Sequence, residues 1–87
     1  MQIVEVSESS LALDRERRGS LYARAGIADY WIVNLVDGIV EVYREPGPDA
    51  AAPFGWRYHF TEALGRGASV SPLALPGVQV RVGDLLL

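Results

Sequence analysis

Tyr30-Trp31-Ile32-Val33-Asn34-Leu35-Val36, then Asp37-Gly38, then Ile39-Val40-Glu41-Val42-Tyr43-Arg44 is the stretch on which the fold turns. The first run is almost unbroken in apolar and aromatic residues, which predicts a central strand covered on both faces. Asp37-Gly38 predicts the two positive-φ positions of a type I′ turn, and the second run returns as the antiparallel partner.

Upstream of this hairpin, Gln2-Ile3-Val4-Glu5-Val6 is β-branched and apolar enough to be a strand at the very start of the chain. After Ser7-Glu8-Ser9-Ser10 the pattern becomes helical over about Leu11 to Ala25. Leu11, Leu21, Tyr22 and Ala25 can share one stripe, Arg15, Glu16, Arg17 and Arg24 face water, and Gly26 stands at the C′ position. Gly19 lies inside that helix at a cost of about 1 kcal/mol relative to Ala, which close packing or relaxed selection must explain. A strand-helix-strand unit makes a parallel pair through a right-handed crossover.

Downstream, Glu45 to Pro53 reads as a loop on its Pro, Gly and Ala content. Trp56, Tyr58 and Phe60 alternate with Arg57, His59 and Thr61, which predicts a strand with one dry and one wet face. Pro72 to Gly77 is turn-rich and leads into a short strand over Val78-Gln79-Val80-Arg81-Val82, after which Asp84 is placed to cap a final turn of leucines. The expected class is α/β: a mixed sheet with a strand-helix-strand crossover followed by an antiparallel hairpin.

Composition narrows the chemistry. The 87 residues allow one small domain, residues 1–87, and 49% hydrophobic with 22% charged residues is a globular balance. The net charge of −3 argues against coating nucleic acid by bulk charge. There is no Cys, hence no disulfide, thiolate metal site or Cys nucleophile. All eight basic residues are Arg, so P-loop and Schiff-base lysines are excluded too. The longest uncharged stretch, Gly67 to Val80, is too short to span a bilayer, and no basic-then-apolar leader opens the chain; the cytoplasm is the expected location.

Few residues suggest a site. His59 is the only histidine and falls on a wet strand face. Gly65-Arg66-Gly67 lacks a third glycine and reads as a loop. Ser7, Ser9 and Ser10 suit phosphate binding at a helix N-terminus or, more ordinarily, helix capping. Arg15, Arg17, Arg18 and Arg24 form a basic helix face that either contacts phosphates or is simply solvated. Glu5 differs from these. A carboxylate between Val4 and Val6 must leave the sheet edge, find a cation among Arg15, Arg17 and Arg18, or bind a metal.

The blocks Ile3-Val4-Glu5-Val6-Ser7, Leu21-Tyr22-Ala23-Arg24-Ala25-Gly26 and Asp29-Tyr30-Trp31-Ile32-Val33-Asn34, with the tail Leu73-Ala74-Leu75-Pro76-Gly77-Val78, resemble Uma-type putative restriction endonucleases of the PD-(D/E)XK nuclease superfamily. That resemblance implies a restriction-endonuclease-like core, DNA as the substrate and Mg²⁺ as the cofactor, which activates water and stabilises phosphate charge. It makes Glu5 the metal-binding, catalytic glutamate. The paired aspartate falls on Met1. Arg18 stands in the catalytic lysine's place on the helix, and Asn34 stands where the family commonly has Asp. Arg stabilises phosphoryl charge but does not exchange a proton with water at neutral pH. The expectation is a partial domain matching the C-terminal half of such a nuclease, catalytically impaired alone. The alternative is a non-catalytic interaction module that pairs through its exposed first strand, with a second copy or with a complementing N-terminal half.

Overall fold

The computed structural model describes residues 1–8 and 12–86, the side chains of Ala12 and Leu13 excepted. Strand β1 (Gln2–Ser7) leads to helix α1 (Ala12–Arg24) and then to β2 (Asp29–Asn34), β3 (Ile39–Pro48) and β4 (Trp56–Leu64). Two short strands, β5 (Ser69–Val70) and β6 (Val80–Arg81), precede α2 (Val82–Leu86). The main sheet has the order β1-β2-β3-β4, with β1 parallel to β2 and the other neighbours antiparallel. This is the mixed α/β architecture that the hairpin and crossover predict. Among the described residues no helix is long and apolar enough to cross a membrane.

Every residue of β2 is buried, as its near-continuous apolar run requires of a strand flanked on both edges and covered on both faces. On one face Trp31, Val33, Val40 and Val42 pack with Val70, Val82 and Leu86, so that β5, β6 and α2 form a lid of apolar side chains. The other face carries Tyr30 and Ile32, which pack with Ala23 of α1 and Tyr58 of β4. α1 ends in a Schellman motif: the Ile27 N–H donates to the Tyr22 carbonyl (3.1 Å), the Gly26 N–H to that of Ala23 (3.0 Å), and Gly26 takes φ +78°.

The β2–β3 connection corrects the expected two-residue turn. β2 stops at Asn34 and β3 begins at Ile39, leaving a four-residue loop in which only Gly38 has positive φ (+67°) and its N–H donates to the Asn34 carbonyl. Asn34 and Asp37 explain the longer loop. The Asn34 side-chain oxygen accepts from the Asp37 N–H (3.1 Å), which holds the chain in a wider turn.

The predicted Glu45–Pro53 loop is also shorter than expected, because β3 continues to Pro48. Beyond Arg44 it pairs only with β4, and a strand with one neighbour tolerates prolines that lack an N–H. Glu45 adopts φ +58° within this strand, opposite the segment where β4 changes face. In β4, Trp56 and Tyr58 pack on the α1 side while Phe60 joins the opposite cluster, so the expected single dry face is divided.

At the C-terminal end the predicted strand shrinks to Val80–Arg81. Val82 already starts α2, and Asp84 lies inside its first turn rather than capping it.

The stripe expected on α1 is different too. Leu21 and Ala25 are exposed, and among the described side chains of α1 the buried ones are Ser20 and Ala23. Ser20 finds polar partners in the Trp56 carbonyl and the Phe54 N–H, and Ala23 packs against Tyr30 and Ile32. Leu11, Ser9 and Ser10 lie outside the described residues; Ser7 belongs to β1.

Candidate functional site

Glu5 on β1, Ile32 on β2 and Glu41 on β3 form one row across the sheet, on the face that α1 covers. Two interstrand spacings put the backbones of the two glutamates about 10 Å apart, with the buried Ile32 between them. Each glutamate is flanked by valines: Val4-Glu5-Val6 and Val40-Glu41-Val42. Alternation along each strand turns the valines to the opposite face and the acids toward the helix.

α1 answers this row with two arginines one turn apart. Arg18 Nη1 donates to Glu5 Oε2, and Arg15 Nη2 lies 2.8 Å from Glu41 Oε2. Residues three apart share a helix face, so one helix serves both carboxylates. Of the three arginines within reach of Glu5 by sequence, Arg18 is the one that pairs with it. Arg15, expected to face water, is instead turned onto the sheet, because Glu41 offers an opposite charge in a poorly hydrated place. Arg24 lies over the Phe54 ring at 5.0 Å, and Arg17 is exposed.

The two pairs differ in depth. Glu41 is 12% exposed and its surroundings are dense with donors: Tyr43 donates its hydroxyl to Oε1 (2.5 Å), and Asn34 Nδ2 donates to Oε2 (2.9 Å) and to Asp37 Oδ2 (3.0 Å). Asn34 is buried and its amide has protons to give to two carboxylates. An aspartate there would be a third acid with none, which accounts for the Asn. The outer pair is looser, since the Arg18 side chain is 57% exposed on an edge strand.

Tyrosines line this face. Tyr30 packs edge-on to Tyr22 at 5.0 Å and stacks with Tyr43 at 5.4 Å. The Tyr22 phenol is raised above its ordinary pKa by hydrogen bonding to the Glu5 carboxylate, then by burial and by that carboxylate's charge. Burial raises Tyr30, with the Glu5 charge second; burial also raises Tyr43, with its hydrogen bond to Glu41 second. Tyr58, whose hydroxyl donates to the Ile27 carbonyl (2.6 Å), is pushed up to about 12 by burial and the charge of Asp29. Hydrogen bonding to Glu5, followed by its charge, holds the proton on Arg18 more firmly still.

Glu5 and Arg18 are thus brought together as the sequence suggests; Arg15, expected among the partners of Glu5, pairs with Glu41 instead, Asn34, marked only by its place in the family pattern, joins that pair, and Glu41 and Tyr22 are additions to the site. The signal for Glu41 was present: it repeats the Val-Glu-Val triplet of Glu5. Tyr22 left no comparable mark, because its part depends on the register of α1 over β1.

On the opposite face Asp29 plays a different role. Its carboxylate accepts from Trp31 Nε1 (2.7 Å), Arg44 Nε (2.9 Å) and the Leu73 N–H (2.9 Å), which ties the turn-rich segment to the sheet. His59, expected in water, is exposed.

A hard divalent ion binds through several oxygen ligands. Among the described residues no three Asp, Glu, His or Cys side chains converge; of the two Glu5 oxygens, Oε2 is given to Arg18 and Oε1 is buried without a hydrogen-bond partner, a single oxygen where several are needed. Glu41 likewise has both oxygens engaged. These residues do not fit such an ion.

No curated protein matches the sequence. The model of the Uma2 family, described as putative restriction endonuclease, matches residues 2–83, which is nearly the whole sequence. With β1, α1 and β2 all inside that match and carrying Glu5 and Arg18, the chain belongs to the Uma2 putative restriction endonuclease family.

Proposed function

We propose that this chain is a nuclease-family domain in which arginine has taken over the place of a metal, so that it does not cleave DNA by itself. The observation that carries this reading is the Glu5–Arg18 ion pair. The carboxylate that the family resemblance assigns to metal binding is neutralised by the residue standing in the catalytic lysine's place. A guanidinium stays protonated at any physiological pH, so Arg18 can hold an anion but cannot take a proton from attacking water. DNA is the substrate that the family implies, and Arg17 and Arg18 on the exposed side of α1 are the groups available to its phosphates.

The test is nicking of supercoiled plasmid by the purified protein with Mg²⁺ or Mn²⁺. Intact plasmid is expected. Metal-dependent cleavage that disappears in Glu5→Ala would overturn the proposal of a silent site.

A second reading is favoured by β1, the outer strand of the sheet, whose Val4 and Val6 are 48% and 67% exposed. An uncovered β-branched edge accepts another strand, and a second copy of this chain is the partner proposed. Light scattering is expected to give a dimer that Val6→Lys dissociates. A monomer at every concentration counts against it.

A further inference from the structure

The main-chain groups of β1 point in two directions. The Leu35 N–H donates to the Ser7 carbonyl (3.0 Å), so the groups of Ser7 face β2. Direction alternates along a strand, hence those of Glu5 and Ile3 also face β2, while those of Gln2, Val4 and Val6 face away from the sheet. Among the described residues no strand pairs with that outer edge. The side chains of the same three residues turn to the face opposite α1, where Val4 lies level with Trp31 and Val6 with Val33. The lid of β5, β6 and α2 covers Trp31 and Val33 and leaves Val4 and Val6 exposed.

A closed pair of identical subunits has two-fold symmetry, so that where residue i opposes j, residue j opposes i. With the axis perpendicular to the sheet, the two β1 strands run antiparallel and both copies keep α1 on the same face. An axis at Glu5 sets two carboxylates directly opposite each other, which is unfavourable. An axis at Ile3 leaves the outward groups of Val6 unpaired. An axis at Val4 opposes Val4 to the partner's Val4 and Gln2 to the partner's Val6, and every outward N–H and carbonyl of the three residues is bonded.

We propose that two copies of this chain join β1 to β1 antiparallel with Val4 on the two-fold axis, forming one continuous sheet. This rests on the reading of the edge as a site for a second copy and adds its register and its effect on the Glu5 site. On the hydrocarbon side, exposed valine meets exposed valine. On the α1 side, Glu5 lies opposite the partner's Ile3, and the two Glu5 backbones stand about 8 Å apart on a diagonal. Each carboxylate brings its own Arg18, so the junction joins two neutral pairs rather than two bare acids. The open edge beside each Glu5 is thereby closed by an apolar residue of the other copy.

The chain has no Cys, so an introduced one reports on its own position alone. Opposed residues in a hydrogen-bonded pair have Cα atoms about 5.5 Å apart, within disulfide range. Under mild oxidation Val4→Cys is expected to link two copies. Gln2→Cys and Val6→Cys, each about 14 Å from its own equivalent, are expected to link only when mixed with each other. Hydrogen exchange of the unmodified protein gives a second readout: the Val4 and Val6 amides should slow about tenfold or more as dimer forms, whereas those of Ile3 and Glu5, already bonded to β2, should not change. A dimer in which Val4→Cys does not link, or whose Val4 and Val6 amides exchange freely, would overturn this register and leave the second copy in place. A monomer at every concentration, the outcome if the edge serves a strand of another protein, would overturn both.

Discussion

The two faces of the sheet are built on opposite principles. The face under β5, β6 and α2 is a hydrocarbon layer of Trp31, Val33, Val40, Val42, Val70, Val82 and Leu86, with one ion pair, Asp29–Arg44, at its border. The face under α1 mixes four tyrosines with two glutamate–arginine pairs and a buried asparagine. Hydrocarbon burial is additive and indifferent to partner, at about 25 cal/mol per Å². Burying charges returns little net stability even when they are well paired, because desolvation offsets the attraction. Beside its apolar cluster of Ala23, Tyr30, Ile32 and Tyr58, the α1 face therefore holds charged pairs that return little net stability, and it is among them that function should be sought.

Alkaline titration separates the faces most sharply. The Trp31 cluster contains no ionisable side chain, whereas all four phenols stand on the α1 side with raised pKa values. An unfolded phenol titrates near 10. A group whose folded pKa is raised contributes stability that is full below the unfolded value and is lost as pH rises toward the folded one. Stability should thus hold to about pH 10 and fall away through the pH of about 12 at which Tyr58 ionises. Tyrosinate absorbance at 295 nm and far-UV circular dichroism are expected to change together. Phenols that titrate near 10 with the dichroism intact would break the contrast.

The next effect is on the hydrocarbon face. Trp31 is 3% exposed, and Trp31→Ala should cost about 3–5 kcal/mol in urea denaturation, a large part of what a domain this small has. The smallest effects compare the two ion pairs. Glu41→Gln leaves Arg15 and its neighbours poorly matched and should cost about 1–3 kcal/mol. Glu5→Gln, opposite the exposed Arg18, should leave the urea midpoint unchanged. Equal losses from the two would mean that the edge pair is as structural as the inner one.

Much of this was legible in sequence because it depends on short-range pattern. The buried β2, the return strand and the Gly26 helix end follow from unbroken apolar runs and from the conformational freedom of glycine. What failed was whatever depended on a distant neighbour. Pro46 and Pro48 look like a loop until one knows that β3 has a single partner there. Trp56, Tyr58 and Phe60 look like one face until packing divides them, Trp56 and Tyr58 to the α1 side and Phe60 to the other. Leu21 looks buried until the helix sets Ser20 and Ala23 against the sheet instead.

The site divides along the same line. Sequence alone determined that Glu5 sits on a strand of valines and that Arg18 lies within reach on the following helix, because side-chain alternation and helical spacing are properties of the local chain. Only the tertiary structure decided that Arg18 rather than Arg15 or Arg17 closes on Glu5. It also decided that Glu41 stands two strands away in the same row. Those outcomes rest on the register between elements far apart in sequence, and register is set by how whole faces pack, which no local spacing encodes.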